Sequence, residues 1–142
     1  VYRERHGVEF TVLAMGNVYG PRQRAADGVV ASFVDALANG RAPIVHGNGK
    51  QTRDFIYIDD TVDAIARATD RAGGLVVNVG TGVATSISDL WSVMAGAASP
   101  VPRTSAARPN DLARLSLSPV RARIQLGWSP FTSLKDGLAT LR

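Results

Sequence analysis

Short runs of apolar, β-branched residues alternate along this chain with stretches whose apolar positions recur every three or four residues, and that alternation leaves few folds open. Phe10-Thr11-Val12-Leu13 reads as a short buried strand. Val29, Val30, Phe33, Val34 and Leu37 mark one face of a helix that Gly40 ends. Pro43 to His46 reads as a strand, Gly47-Asn48-Gly49 as a turn, because Asn-Gly readily takes positive φ, and the chain returns through Phe55 to Ile58. Asp59 or Asp60 is placed to cap the next helix, whose apolar face is Val62, Ile65 and Ala66 with Thr69 one turn on, closed by Gly73-Gly74. Leu75 to Val79 is a further strand.

Beyond it, Ser86 with Asp89 three residues later forms a capping box for a helix presenting Ile87, Leu90, Trp91 and Met94. Ser118-Pro119 announces another helix, stopped by Gly127, and Ser133 with Asp136 repeats the capping box before Leu134, Leu138 and Leu141. The polar, proline-punctuated stretch from Ser99 to Asp111 reads as a loop. There is no internal repeat or low-complexity segment, and the class is mixed α/β.

With 142 residues, 45% of them hydrophobic, the chain has one domain's worth of core. No apolar run approaches the roughly 20 residues needed to span a bilayer, and Val1-Tyr2-Arg3-Glu4-Arg5-His6 lacks a signal-peptide pattern, so the expectation is a cytoplasmic protein without a membrane partner. Zero cysteines exclude disulfides and thiolate sites, and His6 and His46 are too far apart in sequence for a local ligand pair, so no metal is expected. Fourteen of the sixteen basic residues are arginines, and the net charge is +4. They are scattered among acidic residues, with no basic run interleaved with aromatics; a few arginines on one phosphorylated ligand fit this better than nucleic acid.

Two glycine-rich stretches test poorly as phosphate loops. Gly80-Thr81-Gly82 follows a strand and precedes a helix, but position 85 is Thr where a dinucleotide fingerprint wants Gly or Ala, and no acidic residue follows at the ribose-holding distance. It reads as a plain strand-to-helix loop. Gly49-Lys50 is followed by Gln51, not the Ser or Thr that would hold magnesium, so nucleotide hydrolysis is unsupported.

Five segments in order, GNVYGPRQ (16–23), PIVHGNGKQTRDFIYIDD (43–60), VNVGTG (77–82), ARPND (107–111) and LGWSP (126–130), resemble the C-terminal half of the NAD-dependent epimerase/dehydratase family, extended short-chain dehydrogenase/reductases acting on nucleotide sugars. The resemblance implies the last elements of a Rossmann-type fold with a small mixed α/β substrate-binding domain. Residues 1–142 would then be the C-terminal nucleotide-sugar-binding portion, with the N-terminal NAD-binding part absent and a homodimer for the intact enzyme. It implies that Arg53, in the R-D-[FWY] motif, reaches the pyrophosphate, and that Arg108 supplies a second guanidinium; such rigid, permanently charged forks suit phosphate oxygens. By the same resemblance Asn17 contacts the sugar diphosphate, and Val29 and Val30 lie near diphosphate and base. Val45 and His46 hold the nucleobase edge, with His46 in place of an aromatic ring, and Asp111 orients Arg108. The residues alone leave open that Arg53 pairs with Asp54, Asp59 or Asp60, that Asn17 is a turn cap, and that Val29 and Val30 simply pack.

The departures are as informative. The family's strand before Asn17 ends in an arginine and two bulky residues, where this chain has Ala14-Met15-Gly16; Ser118 and Arg121 replace an Asp and a Lys. The family's catalytic Tyr-x-x-x-Lys pair has no match, since Tyr2, Tyr19 and Tyr57 are followed four residues on by His6, Gln23 and Thr61. No catalytic residue is therefore assigned. The resemblance leans toward a UDP-sugar 4-epimerase that oxidises and re-reduces sugar C4 through NAD. An NDP-glucose 4,6-dehydratase and a non-catalytic fragment or binding module stay open.

Overall fold

A computed structural model describes residues 1–96 and 98–141. In chain order, helix α1 (Tyr2–His6) precedes strands β1 (Val12–Met15) and β2 (Asn17–Tyr19), a 3-10 turn (Ala25–Asp27) and helix α2 (Val29–Ala38). Strands β3 (Ile44–His46), β4 (Thr52–Arg53) and β5 (Phe55–Tyr57) lead into helix α3 (Ile58–Ala68) and strand β6 (Val76–Val79). Strand β7 (Thr85–Ser86), helix α4 (Ile87–Met94), strand β8 (Arg103–Ser105) and helices α5 (Val120–Leu126) and α6 (Leu134–Ala139) complete it.

The strands pair as β1 with β6, β2 with β5 and β3 with β8, all parallel, and β4 with β7, antiparallel. One extended segment serves two of these pairs: the Gly16 N–H donates to Val79 O at 2.9 Å and the Asn17 N–H to Asp54 O at 2.6 Å, so the chain changes partner within one residue. A Cβ at Gly16 would lie 2.7 Å from the Asp54 carbonyl oxygen, so the change of partner takes place at a residue without a side chain.

The strand alternation of β5 divides the core. Phe55 and Tyr57 pack with Tyr19, Phe33, Leu90, Trp91 and Leu138 among α2, α4 and α6, while Ile56 packs with Ala64, Val77, Val79, Ala122, Leu126 and Trp128 among α3, α5 and β6. All three β5 residues are buried, as a continuous apolar run requires of a strand covered on both faces. Edge-to-face contacts order the first core, Phe33 on Trp91 at 5.1 Å and Tyr19 on Tyr57 at 5.6 Å.

Local signals behave as read. The Ser86 hydroxyl accepts from the Asp89 N–H at 3.0 Å and that of Ser133 from the Asp136 N–H at 3.2 Å, and Gly127 ends α5 at φ 62. Four expectations are corrected. The strand read as buried over Phe10 to Leu13 runs Val12–Met15, and Phe10 and Val12 are exposed. The turn at 47–49 forms, but β3 does not pair with the returning chain; its partner is β8, inside the stretch read as loop, whose three residues are all exposed and so carry no apolar signature. On α3, Val62 and Ile65 are exposed, and the small residues Thr61 and Ala64 face inward, because close helix packing selects small side chains over large ones. Neither Asp59 nor Asp60 caps α3: its N-cap is Tyr57, without a side-chain bond, and Asp60 is fully buried against residues 128–132.

Candidate functional site

Strand alternation sends the adjacent charges Arg53 and Asp54 in opposite directions. Asp54, 0% exposed, accepts hydrogen bonds from the Thr81 N–H (2.8 Å) and hydroxyl (2.6 Å), the Gly82 N–H (3.0 Å) and the Leu117 N–H (2.9 Å). Those four donors match the roughly four lone-pair sites of a carboxylate. The Gly80-Thr81-Gly82 loop therefore is a strand-to-helix junction, its amides taken up by Asp54, and a Cβ at Gly80 would come within 2.7 Å of Asp54 Oδ2. It does not fit a dinucleotide pyrophosphate, and no cofactor step is assigned to it.

Arg53 turns to a cleft of about 440 Å³. Its side chain is 14% exposed and ion-paired through Nη2 with Asp111, while Nη1 donates to the Thr52 and Leu112 carbonyls, both at 2.7 Å. Asp111 thus holds Arg53, not Arg108, and Arg53 pairs with none of Asp54, Asp59 or Asp60. Spacing could not find this partner, because it lies 58 residues away.

The same cleft gathers Asn17, Val29, Val45, His46 and Arg108. Asn17 opens β2 as a strand residue, not a turn cap; its N–H is fixed on Asp54 O, and its side chain makes no hydrogen bond among the described residues. His46 ends β3, its Nδ1 2.7 Å from Ser105 Oγ, which fixes the ring at the rim. Arg108 is exposed. Val30 is the exception: it is 3% exposed and packs into the core beneath α2. Gly28, Ser32, Gln51 and Ile87 also line the cleft and were not read from sequence as site residues; Ile87 carries the same signature as any core residue, and Gln51 is held at the cleft by its Nε2 donating to the His46 carbonyl at 2.8 Å.

Two guanidiniums against one carboxylate make the cleft cationic, and Val29, Val45 and Ile87 give it an apolar wall. That combination suits a phosphorylated ligand with a flat or apolar portion. The buried Tyr19 phenol is pushed up, chiefly by desolvation and then by Asp60, and bonds the Leu134 carbonyl at 3.3 Å, so it is a core group. Among the described residues no helix is long and apolar enough to cross a membrane.

The NAD dependent epimerase/dehydratase family model matches residues 1–80. The UDP-glucose 4-epimerase of Mycolicibacterium smegmatis is 44% identical over 98% of this chain and 46% of its own length. Among solved structures, the Thermotoga maritima UDP-glucose 4-epimerase with UDP-glucose superposes with a TM-score of 0.95 at 33% identity, covering 99% of this chain and 47% of that one. The Thermus thermophilus UDP-glucose 4-epimerase in complex with NAD gives 0.85 at 30% identity, covering 99% and 49%. The chain spans about half the length of the relatives it matches.

Proposed function

Since the chain belongs to the NAD dependent epimerase/dehydratase family, whose cofactor is NAD, we propose that residues 1–142 are the part of an NDP-sugar epimerase that holds the nucleotide sugar. Arg53 and Arg108 grip the diphosphate, Asn17 offers its side-chain amide beside them, and the Val45–His46 edge takes the base. The carrying observation is the convergence of Asn17, Arg53 and Arg108, far apart in sequence, on one cleft. The binding role is what these residues supply; the reversal of hydroxyl configuration at C4 through NAD is proposed for the protein as a whole. The 44% identity to a UDP-glucose 4-epimerase supports UDP-glucose as ligand over the dehydratase branch, and the NAD-binding part is proposed to lie outside these residues. A homodimer is proposed for the whole enzyme.

Calorimetric titration of the purified chain with UDP-glucose, UDP and uridine tests this. UDP-glucose and UDP are expected to bind and uridine to bind at least roughly a hundredfold more weakly, since charge-assisted hydrogen bonds to the diphosphate are each worth about 1.5–3 kcal/mol. Equal binding of uridine would overturn the diphosphate assignment.

A further inference from the structure

Asn39-Gly40 and Asn48-Gly49 carry the same dipeptide, and the fold holds them in opposite ways. An asparagine before glycine is open to attack on its side-chain carbonyl carbon by the next backbone nitrogen, because no Cβ shields that nitrogen. At the end of α2 both partners of that reaction are tied down. Asn39 Nδ2 donates to the Asp35 carbonyl at 2.8 Å and to Asp35 Oδ1 at 3.1 Å, one turn back along the helix. The Gly40 N–H donates to the Leu37 carbonyl at 3.1 Å.

In the turn after β3 they are poised. The Lys50 N–H donates to Asn48 Oδ1 at 3.0 Å, closing a ring that contains both Asn48 Cγ and the Gly49 nitrogen. The Gly49 N–H has no hydrogen-bond partner among the described residues, whereas its carbonyl is fixed by the Ser88 N–H at 3.1 Å. Asn48 itself is exposed to water. The glycine is required there, since its φ is +72 and a Cβ would collide with Ser88 Oγ and crowd Val45 Cγ1 at 3.2 Å. We propose that Asn48 is a self-modification site, at which the Gly49 nitrogen, after losing its proton, bonds to Asn48 Cγ and expels Nδ2 as ammonia. One N–C bond forms and one breaks, the departing nitrogen takes up the proton, and nothing is oxidised or reduced. Water then opens the cyclic imide at either carbonyl, leaving aspartate or isoaspartate at position 48. Negative charge gathers on Oδ1 as the nitrogen attacks, and the Lys50 N–H already points at that atom. Either product sets a carboxylate on a rim lined by Lys50, Arg108 and Arg114, and so subtracts from its positive charge.

The second Asn-Gly pair is the internal control. The purified chain is incubated at mildly alkaline pH, native and in urea, and conversion of amide to acid at Asn39 and Asn48 is followed by peptide mass spectrometry with enzymatic detection of isoaspartate. In the native chain Asn48 is expected to convert at least about tenfold faster than Asn39, whose hydrogen bonds must break before attack and together cost about that factor in rate. In urea, where both pairs lose their folded surroundings, the two rates are expected to agree within about threefold. Equal native rates, or faster conversion at Asn39, would overturn the proposal. A preference for Asn48 that persisted undiminished in urea would overturn it too, by placing the selectivity in the flanking sequence. So would a native rate at Asn48 about tenfold or more below its rate in urea, because the turn would then be shielding the pair.

Discussion

Arg53 and Asp54 are adjacent in sequence and serve different regions of the molecule. The region behind Asp54 is saturated: its carboxylate meets four donors from two loops, and at the far end of β5 Asp60 does the same for residues 131 and 132. The region in front of Arg53 is unsaturated, with a guanidinium holding unused donors, an Asn17 amide without a hydrogen bond among the described residues, and an exposed Arg108. A buried charge whose bonding capacity is filled by its own chain builds the fold. A charge beside a cleft with capacity left over is available to a ligand.

Removing the saturated groups should have the largest effect on stability. Asp54→Ala strands four donors at the junction of two loops, and urea unfolding is expected to show a loss of ~3–5 kcal/mol. Asp60→Ala leaves the Phe131 and Thr132 N–H groups and the Thr132 hydroxyl unpaired, for about 2–4 kcal/mol by the same measurement. If either variant unfolded like wild type, burial and saturation would not be what distinguishes the two regions. Gly80→Ala removes no charge but crowds one: its Cβ would approach Asp54 Oδ2 to 2.7 Å and Leu117 Cβ to 2.8 Å, and the crowding should cost ~1–3 kcal/mol in the same measurement.

The smallest effect concerns pH. Burial raises the Tyr19 phenol above its ordinary 10.0, so above that pH the unfolded chain releases a proton that the native chain keeps. Stability from this group is complete below pH 10 and falls as pH rises further. By about pH 11 wild type should have lost ~1 kcal/mol more than Tyr19→Phe, each relative to its own stability at pH 8, in paired denaturation curves. Parallel pH profiles would contradict it.

What sequence revealed follows from the range of each interaction. The capping boxes at Ser86–Asp89 and Ser133–Asp136 are closed within three residues, and the buried run at β5 announces itself by hydrophobicity. The partner of β3 lies in Arg103–Ser105, which is exposed throughout and has no alternation to read. Asp60 looked like a cap because helix starts commonly carry one; its donors lie about 70 residues on, beyond local inspection. The inward face of α3 escaped because Thr61 and Ala64 are smaller than Val62 and Ile65, the residues a periodicity reading favours. At the site, the family resemblance nominated Arg53 and Arg108 from their motifs, while the Arg53–Asp111 pair depended on a fold that joins positions 58 residues apart.

The division of labour between neighbours is tested most directly by titrating UDP-glucose into Arg53→Met beside wild type. Wild type is expected to bind measurably and Arg53→Met roughly 10- to 100-fold more weakly, the size of a lost charge-assisted contact to phosphate. Equal affinity in the two proteins would contradict it, placing Arg53 with Asp54 among the residues that only hold the fold.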